Sequence, residues 1–319
     1  MIGAFGTTLF FACNAIFANR SAKMLGSTVA NFWRLLLAAL ILGGWAHLAG
    51  LGLGGVALDW FLVSGLVGFG LGGVAMFQAL PRVGSNLAML IVQCGSALVA
   101  AAGEWIWLGA RLTPLQVGFM LMALVGVAIG LLPRSLPDVP RRVLRAGIAW
   151  AVLSAVGQGL GAVISRKAFA LSRVAHEALD PATTAYQRAL GGLLVAVVAV
   201  LIGRMIHSRT KPDELERLKR VGLARRGGVN ALHPMNSARP PAAWPWVLAN
   251  ALAGPVLGVT CFQWALSTTK AGIVQSIVAT SPLATIPFAA WLEGGWPRPV
   301  YYGGALLAVV GVAGLYLFR

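Results

Sequence analysis

Two arginines stand inside apolar runs of this chain, and a guanidinium shielded from water is the side chain best shaped to hold a carboxylate or a phosphate. Arg34 and Arg188 each lie about seven residues, or about 10 Å, into a helix-length apolar segment. A charge at that depth is costly against lipid, so it either snorkels to the headgroups or faces a wet cavity, and the sequence leaves both open. In the second case each would guard one mouth of a pathway and favour acidic solutes, with Trp33 and Tyr186 close by.

Other groups offer less. Cys13, Cys94 and Cys261 fall singly inside apolar runs, and His47, His176, His207 and His233 lie in or beside loops, so neither a disulfide nor a metal site is expected. Gly68-Phe69-Gly70-Leu71-Gly72-Gly73 fits a dinucleotide fingerprint by letter, but no strand precedes it and no acidic residue follows at ribose distance. It reads as a close helix-packing face, with Gly254 and Gly258 in a similar role. No cofactor is expected. Glu104 and Glu293 end two apolar runs, where pairing with Arg111 or capping a neighbour is the expected use, ahead of proton coupling.

The remaining polar groups in apolar segments are neutral: Asn14, Gln78, Asn86, Gln93, Gln158, Gln263, Gln275, Ser276 and Ser281. Amides at such depth commonly hydrogen-bond within a bundle. Set beside Phe77 and Phe262, a few of them also suit the wall of a site for an amphipathic organic solute.

Those positions recur. Phe77-Gln78-Ala79-Leu80 returns 185 residues later as Phe262-Gln263-Trp264-Ala265-Leu266, and the same offset carries Gly73 onto Gly258, Pro114 onto Pro299 and Gly126 onto Gly311. The chain therefore reads as two copies of one unit. With 58% hydrophobic and 11% charged residues and a mean hydropathy of +0.79, the units are membrane-spanning.

Runs long enough to cross a bilayer fall at roughly 2–18, 30–48, 60–80, 84–106 and 114–132, then 147–165, 184–206, 245–266, 272–292 and 299–318. The expected fold is an all-α polytopic membrane protein of ten transmembrane helices. Five spans per copy make the copies inverted repeats. The expected organisation is a first repeat at 1–133, a basic linker at 134–145, and a second repeat at 146–319 with a basic insertion at about 207–243. Within that insertion, Thr210-Lys211-Pro212-Asp213-Glu214 suggests the start of a short interfacial helix. Met1 leads straight into an apolar run without a basic region, so the first span is expected to be retained.

The net charge of +16 is not a nucleic-acid signature, because 13 of 25 Lys/Arg lie in two loops between apolar runs. Counted at loop ends, one side holds 17 Lys/Arg and the other 6, which places loops 134–145 and 204–243 in the cytoplasm and both termini outside.

Several motifs occur in a familiar order. Phe32-Trp33-Arg34 is mirrored by Tyr186-Gln187-Arg188; the third span ends Phe77-Gln78-Ala79-Leu80-Pro81-Arg82-Val83-Gly84; Glu104 precedes Leu108-Gly109-Ala110-Arg111-Leu112-Thr113-Pro114; and Trp291-Leu292-Glu293 closes the ninth. The pattern resembles the ten-helix drug/metabolite transporter superfamily of the EamA type, over the whole chain except 207–243. The resemblance implies a permease or exporter in the inner membrane of a bacterium, not an enzyme, working by alternating access between the repeats. It implies both termini in the cytoplasm, against the charge count. Small multidrug exporters of the superfamily use a deep first-span carboxylate, where this chain has only Asn14, so cation–proton antiport by that route is not expected. The family often has a proline midway along the fourth and ninth spans. Here Ser281-Pro282 supplies the ninth and Cys94-Gly95 stands in the fourth, so any kink should be lopsided.

The expected solutes are small organic metabolites such as amino acids, with a nucleotide-sugar or phosphate-ester exchanger as the alternative and a non-transporting scaffold as a different class. Expected path residues are Asn14, Trp33, Arg34, Phe77, Gln78, Gln93, Gln158, Tyr186, Arg188, Phe262, Gln263, Gln275 and Ser281. Expected partners are the lipid bilayer and a small-molecule substrate, with a homodimer left open.

Overall fold

The computed structural model describes residues 1–133, 139–209, 240–293 and 297–318, and every regular element among them is a helix. α1 (Ile2–Leu25) and α2 (Ser27–Ala49) are parted only by Gly26, at φ 80°. α3 runs from Leu58–Gly65 through a π-helical stretch, Leu66–Leu71, into Gly72–Val83. α4 (Ser85–Leu108) follows at once. By length and apolarity alone, nine helices among the described residues can cross a membrane, because Leu58–Leu108 counts as one of 51 residues. Gly84, at φ 78°, breaks that stretch into two crossings, and the number of spans among the described residues is ten.

α5 (Pro114–Leu131) opens with a reciprocal cap in which Gln116 N–H donates to Thr113 Oγ1 at 3.2 Å and Thr113 N–H donates to Gln116 Oε1 at 3.1 Å. α6 (Arg141–Val174) is longer than the expected span 147–165. It absorbs Arg141, Arg142 and Arg145, which the sequence assigned to the linker; apolar periodicity marks what the bilayer needs, whereas a helix also continues through its polar ends. α7 is Pro181–Arg209, and α8 runs Pro240–Ala251, π-helical Leu252–Gly258 and Val259–Thr268. α9 is two pieces, Ala271–Val278 and Ser281–Glu293, and α10 is Pro299–Leu317. α9 breaks at Ser281-Pro282 while α4 is continuous through Cys94-Gly95, the lopsided pair that the missing proline foretold. The interfacial helix expected after Thr210 lies outside the described residues.

Packing follows the duplication. α4 lies on α6 as α9 lies on α1; α3 lies on α6 as α8 lies on α1; α3 meets α7 as α8 meets α2. α2 with α7, α4 with α9 and α5 with α10 pair across the pseudo-axis. Each contact maps onto another when helices are advanced by five, and five crossings per half turn the second copy over in the membrane. The two π-helical stretches share this symmetry, since the 185-residue offset carries Phe69 onto Gly254. Leu40, Leu48, Ile106, Leu201, Leu306 and Val309 are exposed around the outside, as a lipid-facing surface requires.

Candidate functional site

A cavity of about 80 Å³ lies between the halves, with walls from seven helices. α2, α5 and α10 contribute nothing to it. Its polar lining is Gln93 of α4, Gln158 of α6, Arg188 of α7 and Gln275 of α9, all four among the expected path residues. Its apolar lining is Phe262, as expected, together with Phe11, Phe69, Gly68 and Val278. Phe69 and Gly68 sit in the π-helical stretch of α3, where the shifted backbone register aims one extra residue inward, as such stretches often do at functional sites.

Arg188 is the charge at the centre, 2% exposed. Its Nη1 donates to Ser165 Oγ at 3.2 Å and to Gln263 Oε1 at 3.1 Å. Ser165 and Ser64 hydroxyls meet at 2.8 Å, and Ser64 donates to the Gly161 carbonyl at 2.7 Å. One set of directions satisfies all these groups, a relay from guanidinium to Ser165 to Ser64 to the α6 backbone. The guanidinium lies over two rings, 4.6 Å from the Phe69 centroid and 5.3 Å from that of Phe262. A Cβ at Gly68 would meet Arg188 Nη2 at 2.9 Å, so a larger residue there would push the guanidinium aside. Arg188 Nε is buried without a hydrogen-bond partner. Among the described residues the one ion pair is elsewhere, and Arg188 has no carboxylate.

That pair closes one end. Glu104, 2% exposed, accepts from Arg166 Nε at 3.1 Å and, more weakly, from Gly272 N–H at 3.4 Å, while Arg166 Nη1 donates to the Leu266 carbonyl at 2.7 Å. α4, α6, α8 and α9 are thereby tied together about one turn beyond Arg188, toward the side that carries the chain termini. The partner of Glu104 is thus Arg166 rather than Arg111, because α6 runs past its expected end and brings Arg166 across. On that side Gln263, Ser165 and Gln275 are buried, whereas Gln93 and Gln158 on the other side are half-buried. The Glu293 side chain lies outside the described residues.

The other expected path residues are placed as follows. Ser281, at the break in α9, accepts from Gln93 Nε2 at 3.3 Å and so fixes a cavity residue without lining the cavity. Gln263 stands immediately behind Arg188 and holds it. Gln78, its repeat partner, instead accepts from Arg82 Nη1 at 2.8 Å on its own helix, and neither it nor Phe77 borders the cavity. Arg34 donates through Nε to Asn31 Oδ1 at 2.9 Å, one turn back on α2, and does not reach the cavity. Trp33 packs edge-on against Trp244 of α8 at 5.0 Å. Tyr186 lies against His47 at the α2–α7 contact. Asn14 abuts Gly254 of the second π-helical stretch, its Oδ1 without a partner. Gln187, which sequence reasoning passed over, is 1% exposed and clamps the loop after α2 by donating to the Gly52 and Gly54 carbonyls, each at 3.0 Å.

At about 80 Å³ the cavity holds a few waters. Sites for organic ligands run to about 300–1,000 Å³, so the cavity as it stands is too small for one.

A model of the EamA-like transporter family matches residues 1–132 and 229–317. A crystal structure of a protein 18% identical aligns with 99% of this chain and 96% of its own, at a TM-score of 0.69. At that identity the likeness is one of fold. No curated protein matches the chain in sequence.

Proposed function

Because this chain belongs to the EamA-like transporter family, we propose that it moves small amphipathic organic solutes, amino acids among them, by alternating access at the cavity between its repeats. The repeats, 1–133 and 146–319, are the two bodies that rock. The observation that carries the reading is the cavity itself: amides and aromatic rings from both repeats surround an arginine that has no carboxylate partner among the described residues, inside helices that span the bilayer. A scaffold has no need of so costly a group. A phosphate-ester exchanger would profit from a second cation, and Arg34, the candidate for it, is engaged with Asn31.

The test is a solute-accumulation profile of cells with and without the gene, fed mixed amino acids and short peptides. Cells with the gene should differ in a defined set of solutes. Gln93→Leu and Gln158→Leu should each reduce that difference by about ten-fold, the scale of one lost polar contact in a dry site, with membrane expression unchanged. Identical profiles with and without the gene would sink the reading.

We place the protein in the inner membrane of a bacterium with its basic loops in the cytoplasm, on the 17-to-6 charge bias. After replacement of the native cysteines, a cysteine at Ser237 should resist an impermeant thiol reagent in intact cells. Rapid labelling there would reverse the orientation.

A further inference from the structure

We infer that Arg188 is the receptor for a carboxylate of the transported solute, which makes the substrates organic anions or zwitterions and excludes simple amines. The inference rests on the transport reading above and narrows it to a chemical class.

Geometry carries it. Nη1 is committed to two acceptors, Ser165 Oγ and Gln263 Oε1, so the donors left over are Nε and Nη2, which share one edge of the guanidinium. Two parallel N–H groups on one edge match the two oxygens of a carboxylate. Phe69 and Phe262 lie against the guanidinium and offer it no acceptor, so its remaining hydrogen-bonding capacity is on that edge. The group is 2% exposed and its Nε has no partner, a state that costs free energy until an acceptor arrives.

The opposite wall is built in the reverse sense. Gln93 Nε2 donates to Ser281 and Gln158 Nε2 to Ser154, each at 3.3 Å, which uses one N–H of each amide and leaves both carbonyl oxygens to accept. A donor edge on one side and amide acceptors on the other suit the carboxylate and ammonium of an α-amino acid. One guanidinium also balances a monoanion better than a phosphate dianion.

The test uses the full-length protein in lipid nanodiscs and the arginine reagent phenylglyoxal, with the modification of each arginine read by peptide mass spectrometry. The probes are leucine, 4-methylpentanoate, leucinamide and 3-methylbutylamine, which share one side chain and differ in charge, together with glycerol phosphate. Leucine and 4-methylpentanoate should slow modification of Arg188 by about ten-fold, the scale of one charge-assisted hydrogen bond, while the amide and the amine leave it unchanged. Arg34 should react at the same rate throughout. Protection by the amine equal to that by the acids, or by no probe, would overturn the inference. Stronger protection by glycerol phosphate than by either acid would also overturn it, in favour of a phosphate site.

Uptake of the same labelled probes into liposomes separates the two readings. Protection without uptake would sink the transport reading and leave the receptor standing; uptake of leucine without protection would sink the receptor alone. In that assay Arg188→Gln should lower leucine entry by about ten-fold and leave leucinamide at its background level. If that variant does not fold, Arg188→Lys keeps the charge but loses the fork, and should bind leucine more weakly while still rejecting the amine. Equal uptake of leucine and the amine by the lysine variant would overturn the inference.

Discussion

Glu104→Gln should lower the thermal unfolding midpoint of the detergent-solubilised protein by more than any conservative change at the cavity wall. Glu104 is 2% exposed and its partner Arg166 14%, so removing the carboxylate strands a cation between four helices. Breaking a buried pair from one side typically costs about 3–5 kcal/mol, and the partial exposure of Arg166 puts the expected loss near the lower end, about 3 kcal/mol. Replacing both partners, as Glu104→Gln with Arg166→Met, should restore more than half of the midpoint, because no unpaired charge is then left behind. The Arg166–Leu266 contact would be lost in the double variant, so full recovery is not expected. An unchanged midpoint in Glu104→Gln would show that the pair does not hold the closed end.

Gly65→Val should prevent accumulation of folded protein altogether. A Cβ at Gly65 would fall on the backbone carbonyl oxygen of Arg188, and one at Gly191 on the carbonyl of Leu62. α3 and α7 thus cross with backbone against backbone, as small residues permit in membranes. A backbone carbonyl cannot swing aside as a side chain can, so the helices must separate and carry Arg188 with them. Overpacking of this kind costs about 1–3 kcal/mol in soluble cores and more where no side chain can yield. Size-exclusion profiles should show loss of the monodisperse peak. Gly73→Ala and Gly118→Ala are the controls, since a Cβ at either position meets nothing within 4 Å. A monodisperse Gly65→Val protein with the native midpoint would contradict the packing described.

The spans, the break in α9 and the duplication were legible because each is written in local composition: apolar length, one proline, a repeated dipeptide. The divergence of the repeats was legible too, though one step further in. Four residues after Gln78 stands Arg82, and four residues after Gln263 stands Ser267. On a helix those positions are neighbours, so Gln78 is captured locally and Gln263 is left for Arg188. Three residues before Arg34 stands Asn31, where Ala185 precedes Arg188. The first arginine finds its acceptor on its own helix, and the second must find one across the bundle. Reading the twin positions with their helical neighbours would have separated the cavity residue from the twin held on its own helix.

Other features had no such signal. The π-helical stretches depend on a one-residue shift in backbone hydrogen bonding that composition does not record, and they bring Phe69 and Gly68 inward. The pairing of Glu104 with Arg166 joins helices whose neighbourhood only the fold defines. Phe11 looked like any apolar residue of a first span until α1 was packed against the second π-helical stretch.

The central claim is that the cavity between the repeats carries organic solutes across the membrane. Counterflow with the purified protein in liposomes tests it most directly: vesicles loaded with an unlabelled amino acid mixture are diluted into a trace of the same mixture carrying label. The account predicts a transient accumulation of label above equilibrium, which no leak can produce, and its loss in Gln158→Leu. Label entry equal to that of protein-free liposomes across the whole mixture would contradict it.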